Sequence, residues 1–195
     1  MKRIAFFDFD GTLTCKDTFL YFILKYINPF RILYTALLNF PFILGFKLGI
    51  YSNEKAKHRL FKSLFKNVKA QTFFNWGEEF HVDINGMLNK KGMEKLEAHL
   101  RSGDDVYIVS ASISAWIKPW ALQHGVKEVI STEIEIDNKG LLTGNFSTPN
   151  CHGKEKVRRI LNKIPDIEEY ETYSYGDSDG DREMFNLTNH HTFIK

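Results

Sequence analysis

The sequence has few cysteines and no long hydrophobic segment near its start. Among 195 residues there are only Cys15 and Cys151, which lie far apart without a C-x-x-C pattern. This excludes a disulfide framework and argues against a zinc site. The first apolar run, residues 4–7, is ended by Asp8, whereas the apolar region of a signal peptide needs roughly 7 to 15 residues. We therefore expect a cytoplasmic protein with reduced cysteines.

Net charge is small, and acidic residues are almost missing from one part of the chain. The formal charge is +2, and 43% of the residues are apolar, which excludes a disordered chain and a polycation that coats nucleic acid. Residues 18–77 contain nine Lys or Arg residues against the single acid Glu54, and 15 of the 28 aromatic residues. This change in composition indicates a separate structural unit with its own role.

The longest charge-free run, residues 32–46, is fifteen residues long and contains Pro41. A membrane-spanning helix needs roughly 20 apolar residues, so the run is too short for one. The residue before a proline is disfavoured in a helix, so we predict two short helices that meet at residues 39–41. They could form a buried pair or lie at a membrane surface.

Short apolar runs alternate with helical patterns along the rest of the chain, which predicts an α/β fold. We expect a Rossmann-like, three-layer core with a mainly parallel sheet and an inserted helical cap. The core would comprise residues 1–16 and 91–195, and the cap residues 17–90. Strands are expected at residues 3–9, 106–109, 128–136, 141–146, 171–175 and 192–194. Core helices are expected at residues 92–101, 114–124, 154–163 and 181–186.

Carboxylates follow the predicted strands in two places. Asp8 and Asp10 come after the first strand, and Asp177 and Asp181 come after the strand at 171–175. Because ligands of open α/β sheets bind beyond the carboxyl ends of the strands, these four groups should gather at one edge. Like charges this close are costly unless a cation neutralises them or one carboxylate is protonated, and an all-oxygen site that handles phosphate suits Mg²⁺.

The spacing of Asp8 and Asp10 suits a two-step displacement. Two residues apart on an extended chain, their side chains leave on the same face. One carboxylate can attack phosphorus, and the other can protonate the leaving oxygen and then activate water. Gly11 lets the chain turn and brings backbone N–H groups near the phosphoryl oxygens. Alternatively, the segment is a β-turn that its Asp and Thr side chains merely cap.

A phosphate could also be bound after the second core strand and at a later helix. The hydroxyl of Ser110 and the backbone N–H of Ala111 or Ser112 can donate to phosphoryl oxygens, although serine is also a common helix cap. Lys154 opens a helix, where a lysine opposes the helix dipole, so we favour it as a phosphate ligand. Lys156 is the competing candidate.

These segments together resemble the haloacid dehalogenase superfamily, in its phosphoserine-phosphatase-like branch. The matching motifs are residues 8–14, Ser110, residues 153–157 and residues 176–181, in the order of the family. The resemblance implies a phosphatase with Mg²⁺ as cofactor and the following roles. For catalysis, it implies that Asp8 is the nucleophile and Asp10 the general acid/base. For the metal, it implies that Asp8, the backbone carbonyl of Asp10 and Asp177 are ligands and that Asp181 supports them. For the phosphate, it implies that Gly11 and Thr12 shape the loop and that Ser110 and Lys154 hold the phosphoryl group.

The inserted segment matches the position of the helical cap in that branch, which closes over the site and selects substrate. Asp17 lies where phosphoserine phosphatases carry a glutamate that binds the substrate amine, but it also fits a plain helix N-cap. The basic, aromatic character of the cap resembles the phosphatidylglycerophosphatase C type of enzyme. An anionic membrane surface would attract such a cap.

The sequence is consistent with three functions. The first is a phosphatase for a lipid phosphate, with peripheral contact to an anionic membrane through the basic cap. The second is a phosphatase for a small metabolite such as phosphoserine, and the third is a non-catalytic protein that binds metal or phosphate. Nucleic acid is not expected as a partner, because the basic residues are interleaved with long apolar runs.

Overall fold

The computed structural model of the chain describes residues 2–42 and 53–195. Its strands are β1 (Arg3–Phe7), β2 (Asp105–Ile113), β3 (Glu128–Thr132), β4 (Ile134–Ile136), β5 (Leu142–Phe146), β6 (Glu171–Gly176) and β7 (His190–Phe193). Its helices are α1 (Thr18–Tyr26), α2 (Pro29–Leu38), α3 (Asn53–Phe65), α4 (Ala70–Asn85), α5 (Lys90–Arg101), α6 (Ser114–Gln123), α7 (Lys154–Lys163) and α8 (Arg182–Leu187). After α5, strands and helices alternate except where β3, β4 and β5 follow one another.

The central sheet is parallel and has the order β3-β2-β1-β6-β7. β1 lies in its middle and is apolar at successive positions because both faces of the sheet are covered. Ile4 and Phe6 pack on one face with α7 and α8, whereas Ala5 and Phe7 face the larger cluster on the other side. The predicted α/β, Rossmann-like architecture is confirmed.

The helices between β1 and β2 share one aromatic cluster with the core. Phe22 of α1 contacts Phe73 and Phe80 of α4 at centroid distances of 5.3 Å each. It also stacks on Trp116 of α6 at 4.5 Å. α4 and α6 pack closely because Gly77 has no side chain: a Cβ there would lie 2.2 Å from the carbonyl oxygen of Ala115. The inserted helices and the sheet therefore share a continuous hydrophobic core.

The strand predicted at residues 128–136 is divided in two. β3 belongs to the parallel sheet, whereas β4 pairs with β5 in an antiparallel hairpin. The hairpin reaches the segment between α3 and α4: the N–H of Asn67 donates to the carbonyl of Leu142 at 2.9 Å, and that of Ala70 to Gly140 at 2.9 Å. Residues that the sequence places in the core thus contact the insertion, and the cap boundaries stay a prediction.

The apolar run at residues 32–46 is only partly described. α2 ends at Leu38, Asn39 forms a turn, and residues 40–42 are helical, in agreement with a break before Pro41. Residues 43–46 lie outside the described part of the chain. Within residues 2–42 and 53–195, no helix is both long and apolar enough to cross a membrane.

Candidate active site

Asp8 lies at the carboxyl edge of the sheet, directly after β1. Its backbone N–H donates to the carbonyl of Tyr175 in β6 at 2.9 Å, which holds the residue between the two strands. Its carboxylate is buried, and Oδ1 accepts a hydrogen bond from the ammonium of Lys156 at 2.7 Å. Burial raises the pKa of Asp8 to about 7, against the opposing effect of Lys156. The side chain is therefore fixed and desolvated at the strand end where the sequence predicts a nucleophile.

The lysine beside this carboxylate is Lys156, so the preference for Lys154 is wrong. Lys154 is exposed, whereas Lys156 has a relative side-chain exposure of 2% and also donates to Asp181 at 2.6 Å. Burial lowers the pKa of Lys156, but the two carboxylates raise it more, so the lysine stays charged. The phase of α7 explains the difference, because Lys156 lies one turn before the buried Ile160 on the same helix face.

Asp177 and Asp181 complete a cluster of carboxylates with Asp8. One oxygen from each lies within 4.8 Å of those of the other two. Asp181 is held firmly, since its Oδ2 accepts from the N–H groups of Asp177 at 3.2 Å and Ser178 at 3.1 Å. Both of its oxygens are thus engaged within the protein, which suits a supporting role. Three carboxylates in an all-oxygen set fit a hard divalent cation such as Mg²⁺.

Gly11 makes room for Asp177. Its φ of +84° lies in the left-handed region, and a Cβ at this position would come within 2.1 Å of Oδ2 of Asp177. Both the backbone conformation and the contact therefore require glycine.

Asp10 is held apart from the carboxylate cluster. Its Oδ1 accepts from the N–H of Thr18 at 2.8 Å, and its Oδ2 accepts from the hydroxyl of Ser112 at 2.5 Å. Burial and the nearby Asp17 raise the pKa of Asp10, whereas the two hydrogen bonds lower it. The two aspartates of the first motif thus have different surroundings, which suits two different roles. The metal contact of the Asp10 carbonyl stays a prediction.

The predicted phosphate loop is only partly in contact with the cavity. Ser110 lines it, and its Oγ accepts from the N–H of Ser112 at 3.1 Å. Ala111 also lines it, and its carbonyl accepts from Lys57 at 2.9 Å. The hydroxyl of Thr12 is buried without a hydrogen-bond partner among the described residues. The phosphate contacts of Gly11, Thr12, Ser110 and Ala111 stay predictions.

Asp17 caps a helix and also lies at the cavity. Its carboxylate caps α1 by accepting from the N–H of Leu20 at 3.0 Å. It is also exposed at the wall of the cavity. The N-cap is confirmed, and a contact with substrate stays a prediction.

The cavity has a volume of about 700 Å³ and two unlike sides. Its floor is the sheet edge, formed by Asp8, Asp10, Asp177, Asp181 and Lys156. Its roof comes from the inserted helices and the chain after α2, and it is formed by Phe19, Leu20, Phe42, Lys57, Arg59 and Leu60. A cleft of this size, with a charged floor and a roof that combines apolar side chains with two cations, suits a small ligand with an anionic end.

A family model described as haloacid dehalogenase-like hydrolase matches residues 5–186. The chain belongs to this family. The carboxylates at the sheet edge are therefore the expected catalytic centre of a haloacid dehalogenase-like hydrolase, and the match spans the inserted helices as well as the core.

Two curated proteins are similar to most of the chain. Protein CicA of Caulobacter vibrioides is 28% identical over 180 residues, which cover 91% of this chain and 79% of that protein. The "inhibition of morphological differentiation protein" of Streptomyces azureus is 26% identical, covering 94% of this chain and 68% of that protein. None of these matches bears on the resemblance of the cap to the phosphatidylglycerophosphatase C type.

Two solved structures share the fold. A protein of unknown function from Bordetella pertussis Tohama I superposes with a TM-score of 0.81 at 23% identity, covering 98% of this chain and 89% of that one. A substrate-bound phosphoserine phosphatase superposes with a TM-score of 0.68 at 18% identity, covering 98% and 85%.

Lys57 is a residue of this hydrolase site that sequence reasoning missed. It reaches the cavity from α3, and burial lowers the pKa of its ammonium. A signal was present, because Lys57 precedes Leu60 and Phe61 at helical spacing and so lies on the apolar stripe of α3. A lysine within such a stripe points inward.

His152 and Asn150 also line the cavity without having been predicted. His152 packs on Gly180, where a Cβ would lie 2.3 Å from its Nε2. Both residues precede α7 in an irregular segment, where no sequence periodicity indicates the direction of a side chain.

Proposed function

We propose that this haloacid dehalogenase-like hydrolase is a Mg²⁺-dependent phosphatase that cleaves phosphomonoesters through an aspartyl-phosphate on Asp8. The observation that carries the proposal is the position of Asp8: its buried carboxylate lies beside Lys156 and the other two carboxylates. Asp10, two residues later, has separate hydrogen bonds. The phosphoserine phosphatases of the same fold support this choice of reaction.

In the first step, an oxygen of Asp8 attacks phosphorus and the ester bond to the leaving oxygen breaks. The ammonium of Lys156 and the hydroxyl of Ser110 would hold the phosphoryl oxygens as negative charge moves onto them. Asp8 and Asp177, with the carbonyl of Asp10, would hold Mg²⁺, and Asp181 would support them. Bound Mg²⁺ supplies positive charge that offsets the carboxylates and the phosphoryl group.

Asp10 would move the protons. Because burial raises its pKa, its carboxyl group can carry the proton that the leaving oxygen takes as the ester bond breaks. The resulting carboxylate then accepts a proton from the water that attacks the aspartyl-phosphate. Phosphate leaves, Asp8 is regenerated as a carboxylate, and Asp10 is protonated again. The hydrogen bonds from Thr18 and Ser112 keep Asp10 in place.

Among phosphate esters, we propose a substrate with an apolar part, such as a lipid phosphate. Phe19, Leu20, Phe42 and Leu60 form an apolar wall above the carboxylates, and an apolar group gains free energy by leaving water for such a wall. A small metabolite such as phosphoserine is the second candidate. The exposed carboxylate of Asp17 at the cavity wall favours it, because it could bind an amine.

The proposal is tested by measuring the release of phosphate from p-nitrophenyl phosphate, from phosphoserine and from a lipid phosphate in mixed micelles. Each substrate is assayed once with Mg²⁺ and once with a chelator instead. Replacing Asp8 by Asn should lower kcat at least ~10³-fold, because the nucleophile is lost. Asp179→Asn is the matched control, since Asp179 is an exposed aspartate of the 176–181 loop that pairs with Arg182.

The chelator should abolish turnover, and added Mg²⁺ should restore it. If none of these esters releases phosphate in the presence of Mg²⁺, the result contradicts the phosphatase function and favours a non-catalytic protein that binds metal or phosphate. Equal rates for the Asp8→Asn variant and the unchanged protein would exclude Asp8 as the nucleophile.

A further inference from the structure

α2 carries its large apolar side chains on the side that faces solvent. Phe30, Leu33, Tyr34 and Leu37 recur at spacings of three and four and so share one face; we call them the α2 face. Phe30 is 82% exposed and Leu37 is 66% exposed. Leu38 and Phe40 are exposed next to them. Scattered exposed apolar residues are ordinary, but a contiguous set of this kind marks an interaction surface.

The opposite side of α2 faces the protein and mixes polar residues with Ile32, which packs against the hydrophobic core. Thr35 is the buried residue of this helix, and Asn39, one turn later, is also buried. The Nδ2 of Asn39 donates to the carbonyl of Thr35 at 2.8 Å, and its Oδ1 accepts from Arg59 at 2.6 Å. A helix on the surface of a water-soluble protein normally turns its large apolar residues inward. In α2 most of the large apolar residues point away from the protein instead, and the helix is attached through Ile32 and through the hydrogen bond from Arg59 to Asn39.

Two apolar side chains, one on α1 and one just after α2, border the cavity. Leu20 and Leu24 of α1 are exposed one turn apart on the same face of that helix. Leu20 also lines the cavity, as does Phe42 at the end of the segment that follows α2. A ligand whose apolar part lies against α1 and α2 could therefore place its polar end over Asp8.

Charge favours an anionic partner at this surface. Residues 18–53 contain no acidic residue, so an anionic surface meets no carboxylate of this segment. Arg31 lies on α2 and is exposed, as expected of a helix whose apolar face enters a lipid interface while cations contact the headgroups. A second copy of the chain would offer no carboxylate to Arg31 from the same segment.

We propose that the α2 face binds an anionic lipid bilayer and that the cavity takes a lipid phosphomonoester from that bilayer. The first claim, membrane binding by the α2 face, is the binding part of the proposal and depends only on that face. The second claim, hydrolysis of a lipid phosphomonoester, is the substrate part and rests on the proposed phosphatase function. Binding of the helix at the interface would bring the cavity mouth to the depth of the lipid headgroups.

Flotation with vesicles of phosphatidylcholine and phosphatidylglycerol tests the binding part. The unchanged protein should float with these vesicles, and the double variant Phe30→Ser, Leu37→Ser should bind at least about tenfold more weakly, because two large apolar groups no longer enter the interface. Leu122→Ser is the matched control, since Leu122 is a similarly exposed leucine on α6. This variant should bind as the unchanged protein does.

Absence of flotation of the unchanged protein would overturn the proposal, and so would equal binding of the double variant. A dimer in light scattering that the double variant converts to a monomer would assign the face to a second copy instead. Turnover of p-nitrophenyl phosphate without vesicles should be the same in all variants, which shows that they are folded and tests the phosphatase function separately.

Hydrolysis of phosphatidic acid in the same vesicles tests the substrate part. The double variant should lose at least about tenfold in this rate while keeping its rate on p-nitrophenyl phosphate. Equal loss on both substrates would show a folding defect. Equal rates on phosphatidic acid would refute the substrate part and leave the binding part to the flotation result.

Discussion

The floor and the roof of the cavity differ in how their side chains are held. On the floor, charged groups bond to each other: Lys156 donates to Asp8 and Asp181, and Asp10 accepts from two donors. On the roof, Lys57 donates to the carbonyl of Ala111 and lies over the ring of Phe19, and the carboxylates of the cavity act on its ammonium only through longer-range attraction. The floor is thus organised before a ligand arrives, which suits bond-breaking chemistry. The roof has fewer fixed polar contacts, which suits selection of a leaving group.

The largest expected effect is on the floor. Lys156→Met should lower kcat about 10²–10³-fold, since an amine that stabilises the phosphoryl group is lost and two carboxylates are left without their cation. Lys154→Met should stay within about twofold, because an exposed side chain away from the site contributes little. Steady-state kinetics of both variants would measure this. A larger loss for Lys154→Met would reverse the assignment.

The next effect compares a buried with an exposed aromatic residue of the inserted helices that carry the roof. Phe22→Ala should lower the free energy of unfolding by about 3–5 kcal/mol, because it leaves a cavity among Phe73, Phe80 and Trp116. Phe30→Ala should change it by less than about 0.5 kcal/mol, since this side chain is largely exposed. Urea denaturation reports both values from the transition midpoint. Similar losses would mean that the α2 face is packed against the protein.

A glycine pair tests how tightly the floor is packed. Gly11 and Gly140 both have positive φ, but a Cβ on Gly140 would meet open space, whereas one on Gly11 would strike Asp177. Alanine at either position should cost about 1 kcal/mol of stability from backbone strain. Only Gly11→Ala should also lower kcat, by about 10²-fold, because it displaces a carboxylate of the metal cluster. Equal kinetics for the two variants would contradict the close contact.

The smallest effect is expected from Lys57, one of the two cations of the roof. Lys57→Met should lower kcat/KM about tenfold, which corresponds to about 1.4 kcal/mol of transition-state stabilisation. Lys62→Met on the same helix is the control, as Lys62 is exposed outside the cavity. Kinetics on p-nitrophenyl phosphate would compare the two. No loss for Lys57→Met would show that the roof does not act electrostatically on the site.

The sequence predicts the floor better than the roof for physical reasons. The strand-then-carboxylate order of residues 3–10 is local, and the parallel sheet brings such strand ends together. The sequence also contained the information needed to choose between Lys154 and Lys156. Only Lys156 lies four residues before Ile160 and therefore on the same, inward face of α7. The contact of the β4–β5 hairpin with residues 67–70 could not be predicted, since it joins segments distant in the chain.

α2 and the helical residues 40–42 that follow it show the same limit. Their break near Pro41 follows from backbone sterics. Which side of α2 faces solvent does not follow from its composition, because apolar residues occur all round the helix except at Arg31 and Thr35.

The backbone hydrogen bonds between the β4–β5 hairpin and residues 67–70 have a consequence for synthesis on the ribosome. The backbone N–H groups of Asn67 and Ala70 bond to carbonyls that are translated roughly seventy residues later, which at about 5–20 residues per second is a delay of roughly 4–14 s. During that interval the emerging helices lack the hairpin to which residues 67–70 bond, and for the first part of it they also lack the Trp116 ring on which Phe22 stacks. The inserted segment therefore completes its contacts only after a large part of the core has been translated, and until then its apolar side chains are open to a nascent-chain chaperone.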